Sequence, residues 1–139
     1  MRKLLVLGVA VALLLAACGG DDDDSSSGSD GPPVSLSGTV NDKGTEKVSG
    51  SELELEADDN YFKPTFIEAE AGAKLTLTIK NEGAAQHTFT IDSAKIDEEI
   101  APDDEVKVDV TVPDSGHLDF HCRFHGSAGM QGSIVAEKS

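Results

Sequence analysis

Basic side chains are scarce in this sequence of 139 residues. It has 11 Lys and Arg against 26 Asp and Glu, which gives a formal net charge of −15 at pH 7. A chain with this charge is repelled by phosphate backbones and by anionic lipid surfaces. The composition therefore predicts that the protein has no nucleic-acid partner.

Long apolar runs are also missing, apart from one at the N-terminus. Arg2 and Lys3 precede the run Leu4 to Leu15, a pattern typical of a signal peptide whose core is too short for a permanent transmembrane helix. The run ends in Leu-Ala-Ala-Cys, which resembles the lipobox of bacterial lipoproteins. This resemblance implies a signal peptide over residues 1–17 and a lipid on Cys18 that holds the protein outside the cytoplasm, at the outer face of the cell membrane. The alternative is an ordinary secretory signal with Cys18 incidental.

The segment after Cys18 has no side chain suited to a hydrophobic core. Four consecutive aspartates at positions 21–24 are followed by Ser- and Gly-rich sequence and a Pro-Pro pair. This composition is typical of a disordered tether, and the run lacks the glycine and glutamate spacing of a calcium loop. We predict a lipidated tether over residues 18–33 and one folded domain over residues 34–139.

Cysteine is nearly absent as well, with two residues in the chain. The predicted lipid on Cys18 leaves Cys122 without a disulfide partner, although exported proteins normally pair their cysteines. A lone thiol in an oxidising compartment is easily oxidised, so metal ligation is one reason for Cys122 to be there. Burial as a small apolar residue is the alternative.

No long window has the helical period, whereas several windows alternate strictly between apolar and polar residues. This alternation is typical of half-buried antiparallel strands. Strands are predicted over residues 34–40, 52–57, 60–70 (interrupted at Pro64), 74–80, 86–91, 106–112, 117–122 and 132–136. Residues 93–100 could hold one helical turn. The sequence therefore predicts an all-β fold, a sandwich of two packed sheets with seven to eight strands.

The alternation also predicts the direction of one candidate ligand. His87 shares its strand face with Phe89 and is expected to point into the core. Thr88 and Thr90 lie on the opposite face and are expected to face solvent.

Cys122 is likewise expected to face the core, whereas His117 and His121 are expected to face water. His121 should therefore not bind the same ion as Cys122, although it is its sequence neighbour. Surface histidines are the main interpretation of this pair, and a weak second metal site with Asp119 is the alternative.

Cys122, His125 and Met130 lie within nine residues near the end of the chain. A thiolate, an imidazole and a thioether are ligands that suit copper, and His87 is a candidate second imidazole. Met130 is the only methionine after the predicted signal peptide, and its loop is rich in glycine. A lone methionine in such a loop is a poor core filler, which favours a role as a ligand.

The spacing Cys122-x-x-His125-x-x-x-x-Met130, with residues 61–72 and 81–89 upstream, resembles the cupredoxins and in particular their plastocyanin-like members. The resemblance covers residues 52–137 and implies a Greek-key β-sandwich with one type 1 copper ion. It also implies that His87, Cys122 and His125 are the strong ligands and that Met130 is the long, weak axial ligand.

The same resemblance implies roles for residues around the ligands. Thr88 follows the first histidine, where the family commonly has Asn, and its backbone N–H is expected to donate to the cysteine sulfur. Either its hydroxyl replaces the amide that pins the ligand loop, or this side-chain contact is absent, which would change the rigidity of the loop and the reduction potential. The electron is expected to leave through His125, within a patch of small residues: Ala84, Ala85, Gly126, Ala128 and Gly129.

The resemblance implies a membrane-tethered electron carrier rather than an enzyme, because four ligands leave no open position for a substrate. Its partners would be redox proteins, which reach the acidic surface through a basic docking face or contact the apolar patch. Copper buffering or delivery is the first alternative. Three others are a zinc site, a thiol enzyme that uses Cys122 with His125, and a metal-free adhesion sandwich.

Overall fold

The computed structural model describes residues 32–137. The predicted signal peptide, Cys18 and the tether up to residue 31 lie outside the described residues. Within the described range, no helix is long and apolar enough to cross a membrane.

Strands dominate the described residues, and the predicted all-β fold is confirmed. They are β1 (Thr45–Val48), β2 (Glu52–Asp58), β3 (Tyr61–Lys63), β4 (Phe66–Glu70), β5 (Lys74–Asn81), β6 (His87–Ile91), β7 (Ile96–Ile100), β8 (Glu105–Thr111), β9 (His117–His121) and β10 (Gln131–Glu137). Two single 3-10 turns, Asp92–Ala94 and Gly126–Ala128, complete the regular structure of this range. The ten strands exceed the predicted seven to eight: β1 and β7 were not expected and residues 60–70 form two strands, whereas the predicted strand over residues 34–40 is absent.

The strands form the two sheets of a Greek-key sandwich. One sheet has the order β1-β4-β10-β9-β6-β7, and the other has the order β3-β2-β5-β8. Residues Leu75, Leu77 and Ile79 of β5 are all buried, as their alternation with polar residues predicts. The second sheet therefore packs its apolar face onto the first.

Three phenylalanines join the sheets near one end of the core. Phe62, Phe89 and Phe120 are fully buried, and their ring centroids lie 5.0 to 5.9 Å apart. Separations and tilted or edge-to-face angles of this kind are favourable for aromatic rings. Because Phe89 is in β6 and Phe120 is in β9, this cluster fixes the two strands relative to each other.

Gly132 shows how tightly β10 packs against this cluster. A Cβ at this position would lie 2.5 Å from Phe120 Cζ and would also collide with the carbonyl oxygen of Thr65. Any side chain here would overpack the core, which explains why glycine occupies a position in the middle of the sheet.

The predicted strand over residues 34–40 is wrong. This segment is irregular, and Gly38 has a φ of +81°. The carbonyl groups of Ser37 and Thr39 accept hydrogen bonds from the Gln131 side chain at 2.8 and 2.6 Å. A side-chain amide therefore takes the place of a neighbouring strand, and β1 begins only at Thr45, where it pairs in parallel with β4.

The expected helical turn within residues 93–100 is also mostly wrong. A 3-10 turn covers only Asp92–Ala94, and Lys95 then adopts a left-handed conformation with φ of +56°. Ile96–Ile100 is strand β7, which pairs antiparallel with β6. Its three central residues are all acidic, so β7 lacks the alternation of apolar and polar residues that predicts a strand.

Candidate metal centre

The four predicted ligands are carried by one end of the first sheet. His87 is the first residue of β6, and Cys122 directly follows the last residue of β9. These strands are neighbours in the sheet, with Thr90 paired to His121. His125 and Met130 lie in the loop between β9 and β10. Strand pairing therefore brings His87 to Cys122 although the two are 35 residues apart in the chain, and the loop places His125 beside them.

Three donor atoms converge at this end. His87 Nδ1 lies 3.2 Å from His125 Nδ1, and Cys122 Sγ lies 3.5 Å from His125 Nδ1 and 3.9 Å from His87 Nδ1. His87 and Cys122 are fully buried, whereas His125 is partly exposed. Among the described residues, this trio is the only group of three His, Cys, Asp or Glu side chains that could hold a metal ion.

The separations of these donors fit a single metal ion. Imidazole nitrogen and thiolate sulfur typically bind a first-row metal at about 2.0 to 2.3 Å, so donors that share an ion must lie within about 4 to 4.6 Å of one another. All three separations meet this limit. A thiolate with two imidazoles is a donor set that suits copper.

Burial keeps the imidazole of His87 in the form that a metal requires. The pKa of His87 is lowered, chiefly by burial and also by the charge of a protonated His125, and this outweighs the opposing carboxylates of Asp59 and Asp58. At neutral pH His87 is therefore uncharged, so no proton has to be removed from it when a metal binds.

Met130 lies in the same loop and is fully buried. Its N–H donates to the carbonyl oxygen of His125 at 3.1 Å, and its own carbonyl oxygen accepts the N–H of Cys122 at 3.0 Å. The N–H of Gly126 donates to the carbonyl oxygen of Cys122 at 2.8 Å. Backbone hydrogen bonds thus join the two ends of the loop, and they place the backbone of Met130 next to that of Cys122.

Thr88 makes the two contacts that the family resemblance implies. Its N–H points at Cys122 Sγ over 3.4 Å, and its hydroxyl accepts the N–H of Arg123 at 2.9 Å. The first contact joins β6 to the sulfur, and the second pins the start of the ligand loop. A hydroxyl therefore occupies the place where the family commonly has an amide.

The expectation that Thr88 and Thr90 face solvent is wrong. Their exposed fractions are 0% and 4%. Their hydroxyls contact each other at 3.0 Å, and the Thr90 hydroxyl donates to Asp97 Oδ1 at 2.7 Å. Arg123 contacts the same carboxylate through Nε at 2.8 Å and Glu99 through Nη2 at 2.9 Å. The ion pairs between Arg123 of the ligand loop and β7 therefore cover the face of β6 that carries the two threonines, which the alternation predicts to be exposed to solvent.

These contacts form a closed ring that sequence reasoning missed. The ring runs from the Arg123 backbone through Thr88, Thr90 and Asp97 back to the Arg123 side chain. The pKa of Asp97 is lowered, first by the Thr90 hydroxyl and then by Arg123, which keeps this carboxylate charged. The sequence does contain the two threonines and the acidic residues of β7. It does not show that β6 and β7 are neighbours, and the contact depends on that.

Asn81 shapes the loop that leads to His87. It is fully buried, and its Nδ2 donates to the carbonyl oxygens of Ala85 at 2.8 Å and Ile100 at 2.9 Å. Its Oδ1 accepts the N–H of Gly83 at 3.0 Å. The sequence indicates only a turn here, whereas the structure shows one side chain that satisfies three backbone groups.

The predicted exit patch lies partly at the surface. Ala84 and Ala128 are exposed, Ala85 and Gly126 are partly exposed, and Gly129 is buried. Phe124 was not predicted as a member, yet it is 50% exposed and its ring centroid lies 6.3 Å from that of His125. It is the one large hydrophobic side chain exposed in the described residues.

Comparisons with known families and solved structures agree with the fold described above. The model of the cupredoxin-like domain family matches residues 35–136. A search of curated proteins gave no match.

Three solved structures are similar to this chain. The metal-binding domain of the Cu(I)-exporting P-type ATPase CopA of Streptococcus pneumoniae, with Cu(I), is 18% identical with a TM-score of 0.57, over 69% of this chain and 98% of that one. Reduced auracyanin from Roseiflexus castenholzii is 18% identical with a TM-score of 0.56, over 66% and 100%. Auracyanin A, a blue copper protein from Chloroflexus aurantiacus, is 20% identical with a TM-score of 0.53, over 66% and 100%. At these identities the likeness shows the fold alone.

The ring around Thr88 predicts the effect of a near-isosteric substitution. Thr88→Val removes the acceptor of the Arg123 N–H without changing the shape of the side chain. We expect the free energy of unfolding to fall by about 1 to 3 kcal/mol, because a partly buried donor is left without a partner. Hydrogen exchange at the Arg123 amide should become faster.

Thr88→Ser, which keeps the hydroxyl, is the matched control. It should preserve slow exchange at the Arg123 amide. Equal exchange rates at that amide in wild type and Thr88→Val would contradict the pinning role.

Proposed function

This chain belongs to the cupredoxin-like domain family, and from that membership we propose that it is a type 1 copper protein that carries single electrons between redox partners. The observation that carries the proposal is the convergence of His87, Cys122 and His125 within bonding distance of one ion. Bound there, a copper ion would supply one-electron chemistry by alternating between Cu(I) and Cu(II).

The surroundings of the trio support electron transfer rather than catalysis. The thiol of Cys122 is fully buried beneath the loop, and Met130 is buried in the same loop. With Met130 as the weak axial ligand, the set of four donors leaves no position for a substrate. We therefore assign the protein no enzymatic activity of its own.

His125 is the proposed exit for the electron, because it is the one partly exposed member of the trio. Ala84, Ala128 and Phe124 are exposed in the loops that flank it and offer an apolar contact surface. Asp59, whose carboxylate lies 3.9 Å from His87 Nε2, and Glu82, which is two residues before Ala84, are both exposed. This combination supports a redox protein partner with a basic rim around an apolar centre.

We further propose that the domain works outside the cytoplasm and is tethered to the membrane by a lipid on Cys18. The support is the sequence alone: an apolar run that ends in Leu-Ala-Ala-Cys, followed by an acidic tether. In that oxidising compartment a bound metal would protect the free thiol of Cys122 from oxidation.

A second candidate function is copper buffering or delivery. One observation favours it, namely the likeness of the fold to the metal-binding domain of a Cu(I)-exporting ATPase. Against it stands the composition of the site, because delivery sites tend to be open and rich in methionine, whereas this chain has one methionine outside the predicted signal peptide.

Copper reconstitution tests the main proposal. The full chain loaded with Cu(II) should become intensely blue, with narrow copper hyperfine splitting in its electron paramagnetic resonance spectrum, because of the Cys122 thiolate. Cys122→Ser should abolish the colour, whereas Cys18→Ser should keep it. Met130→Gln should lower the reduction potential while copper stays bound.

A colourless or pale wild-type product would refute a type 1 site. A blue product that, after reduction by ascorbate, yields its Cu(I) within seconds to a competing Cu(I) chelator would instead support delivery.

The exit patch is tested by a charge placed beside His125. Ala128→Glu should slow oxidation of the reduced protein by a basic c-type cytochrome about tenfold, equivalent to about 1.4 kcal/mol, because the new carboxylate has to lose its hydration at the apolar centre of the contact, away from the basic rim. The copper spectrum should not change. Stopped-flow absorbance measures the rate.

Ser115→Glu is the matched control, since Ser115 is exposed and precedes β9 at the opposite end of the sheet. It adds the same charge far from His125. If both variants transfer electrons at the wild-type rate, His125 is not the exit.

The tether is tested by Cys18→Ala in a bacterial host that processes lipoproteins. We expect this variant to move from the membrane fraction to the soluble extracytoplasmic fraction, because its lipid anchor is lost. Fractionation followed by immunoblotting measures the shift. An unchanged distribution would argue against lipidation.

A further inference from the structure

The second ring nitrogen of His87 is left without a partner. His87 Nε2 is the only buried side-chain nitrogen or oxygen without a hydrogen bond among residues 32–137. A buried polar atom in this state costs free energy and calls for an explanation. Its ring partner Nδ1 already faces His125 and Cys122, so any explanation has to lie on the Nε2 side.

The nearest carboxylate on that side belongs to Asp59. Its Oδ1 lies 3.9 Å from His87 Nε2, which is ion-pair distance but longer than a hydrogen bond. The Asp59 side chain is 60% exposed, and no other contact in the described residues holds its carboxylate. A side-chain rotation that shortens the gap by about 1 Å would give a normal N–H···O hydrogen bond.

Gly83 keeps the space between the two groups open. A Cβ at Gly83 would lie 2.8 Å from Asp59 Oδ1 and 2.9 Å from His87 Nε2. Because Gly83 has no side chain, the Asp59 carboxylate can approach the His87 imidazole. Gly83 does not have a positive φ, so its backbone conformation does not explain the glycine.

We propose that Asp59 is a positioning residue that accepts a hydrogen bond from His87 Nε2–H and thereby directs the lone pair of Nδ1 at the metal site. Histidines that bind metals commonly donate their other N–H to a carboxylate, which fixes the tautomer and the ring orientation. Because the two Nδ1 atoms are 3.2 Å apart, the proton between them in the metal-free protein then belongs to His125. The inference deepens the proposed function and rests on His87 being a ligand.

The tautomer of His87 in the metal-free full chain tests the proposal directly. Long-range ¹H–¹⁵N spectra of histidine-labelled protein should show His87 protonated at Nε2 in the wild type. Asp59→Ala should lower the ratio of the Nε2–H to the Nδ1–H tautomer about tenfold, as expected for loss of a hydrogen bond to a charged acceptor. Gly83→Ala should have the same effect although the charged Asp59 carboxylate remains.

Asp58→Ala is the matched control, because it removes the same charge from the neighbouring residue. The Asp58 carboxylate accepts the Tyr61 hydroxyl at 2.9 Å and the N–H of Asp59 rather than facing the imidazole. It should leave the tautomer ratio within about twofold of the wild type, whereas a purely long-range charge effect would give both variants similar ratios.

The copper-loaded protein gives a second reading. Asp59→Ala should raise the reduction potential more than Asp58→Ala does, because a carboxylate bound to the imidazole makes the ligand more basic and favours Cu(II). A wild type with Nδ1–H as its main tautomer, or an Asp59→Ala variant with the wild-type ratio, would overturn the inference. If the chain binds no copper, the proposed function fails, but the metal-free spectra still decide the role of Asp59.

Discussion

The contact between the Thr88 N–H and the sulfur of Cys122 joins the two parts of the chain on which the site depends. It spans 3.4 Å and links the start of β6 to the residue that follows β9. Behind it, Phe89 and Phe120 pack with centroids 5.0 Å apart and hold the same two strands together inside the core. The site is thus built onto a rigid strand pair, and only His125 and Met130 depend on a loop.

That loop is held on two sides by contacts outside the donor set. On one side the ring through Thr88 and Asp97 ties it to β6 and β7. On the other side Asn41 donates through Nδ2 to the carbonyl oxygen of Ala128 and through its backbone N–H to that of Gly129. Gly129 has a φ of +105°, and a Cβ there would lie 2.8 Å from Asn41 Cγ, so both its conformation and its neighbour require glycine. Asn41, which directly follows the irregular segment 34–40, therefore braces the loop.

The sequence predicted those features that depend on local periodicity or on short spacing. Alternation in β5 and β6 identified buried residues such as Leu77 and His87, and the nine-residue spacing from Cys122 to Met130 identified the candidate ligand loop. The features that the sequence did not predict depend on which strands are neighbours in the sheet. Thr88 and Thr90 are buried because Arg123 and β7 cover them, and no pattern within β6 carries that information.

The donors stand 3.2 to 3.9 Å apart, and hydrogen bonds of the surrounding backbone and side chains hold the residues that carry them. A site arranged in this way undergoes little movement when the charge of a bound ion changes by one, which suits an electron carrier. Delivery requires the opposite property, since ligands have to be surrendered one at a time to a recipient. Here two of the three donors belong to fully buried residues, and the third, His125, is tied through its N–H and carbonyl oxygen to Cys122 and Met130. These contacts hold the donor residues in place, which supports the proposed role in electron transfer over delivery of the ion.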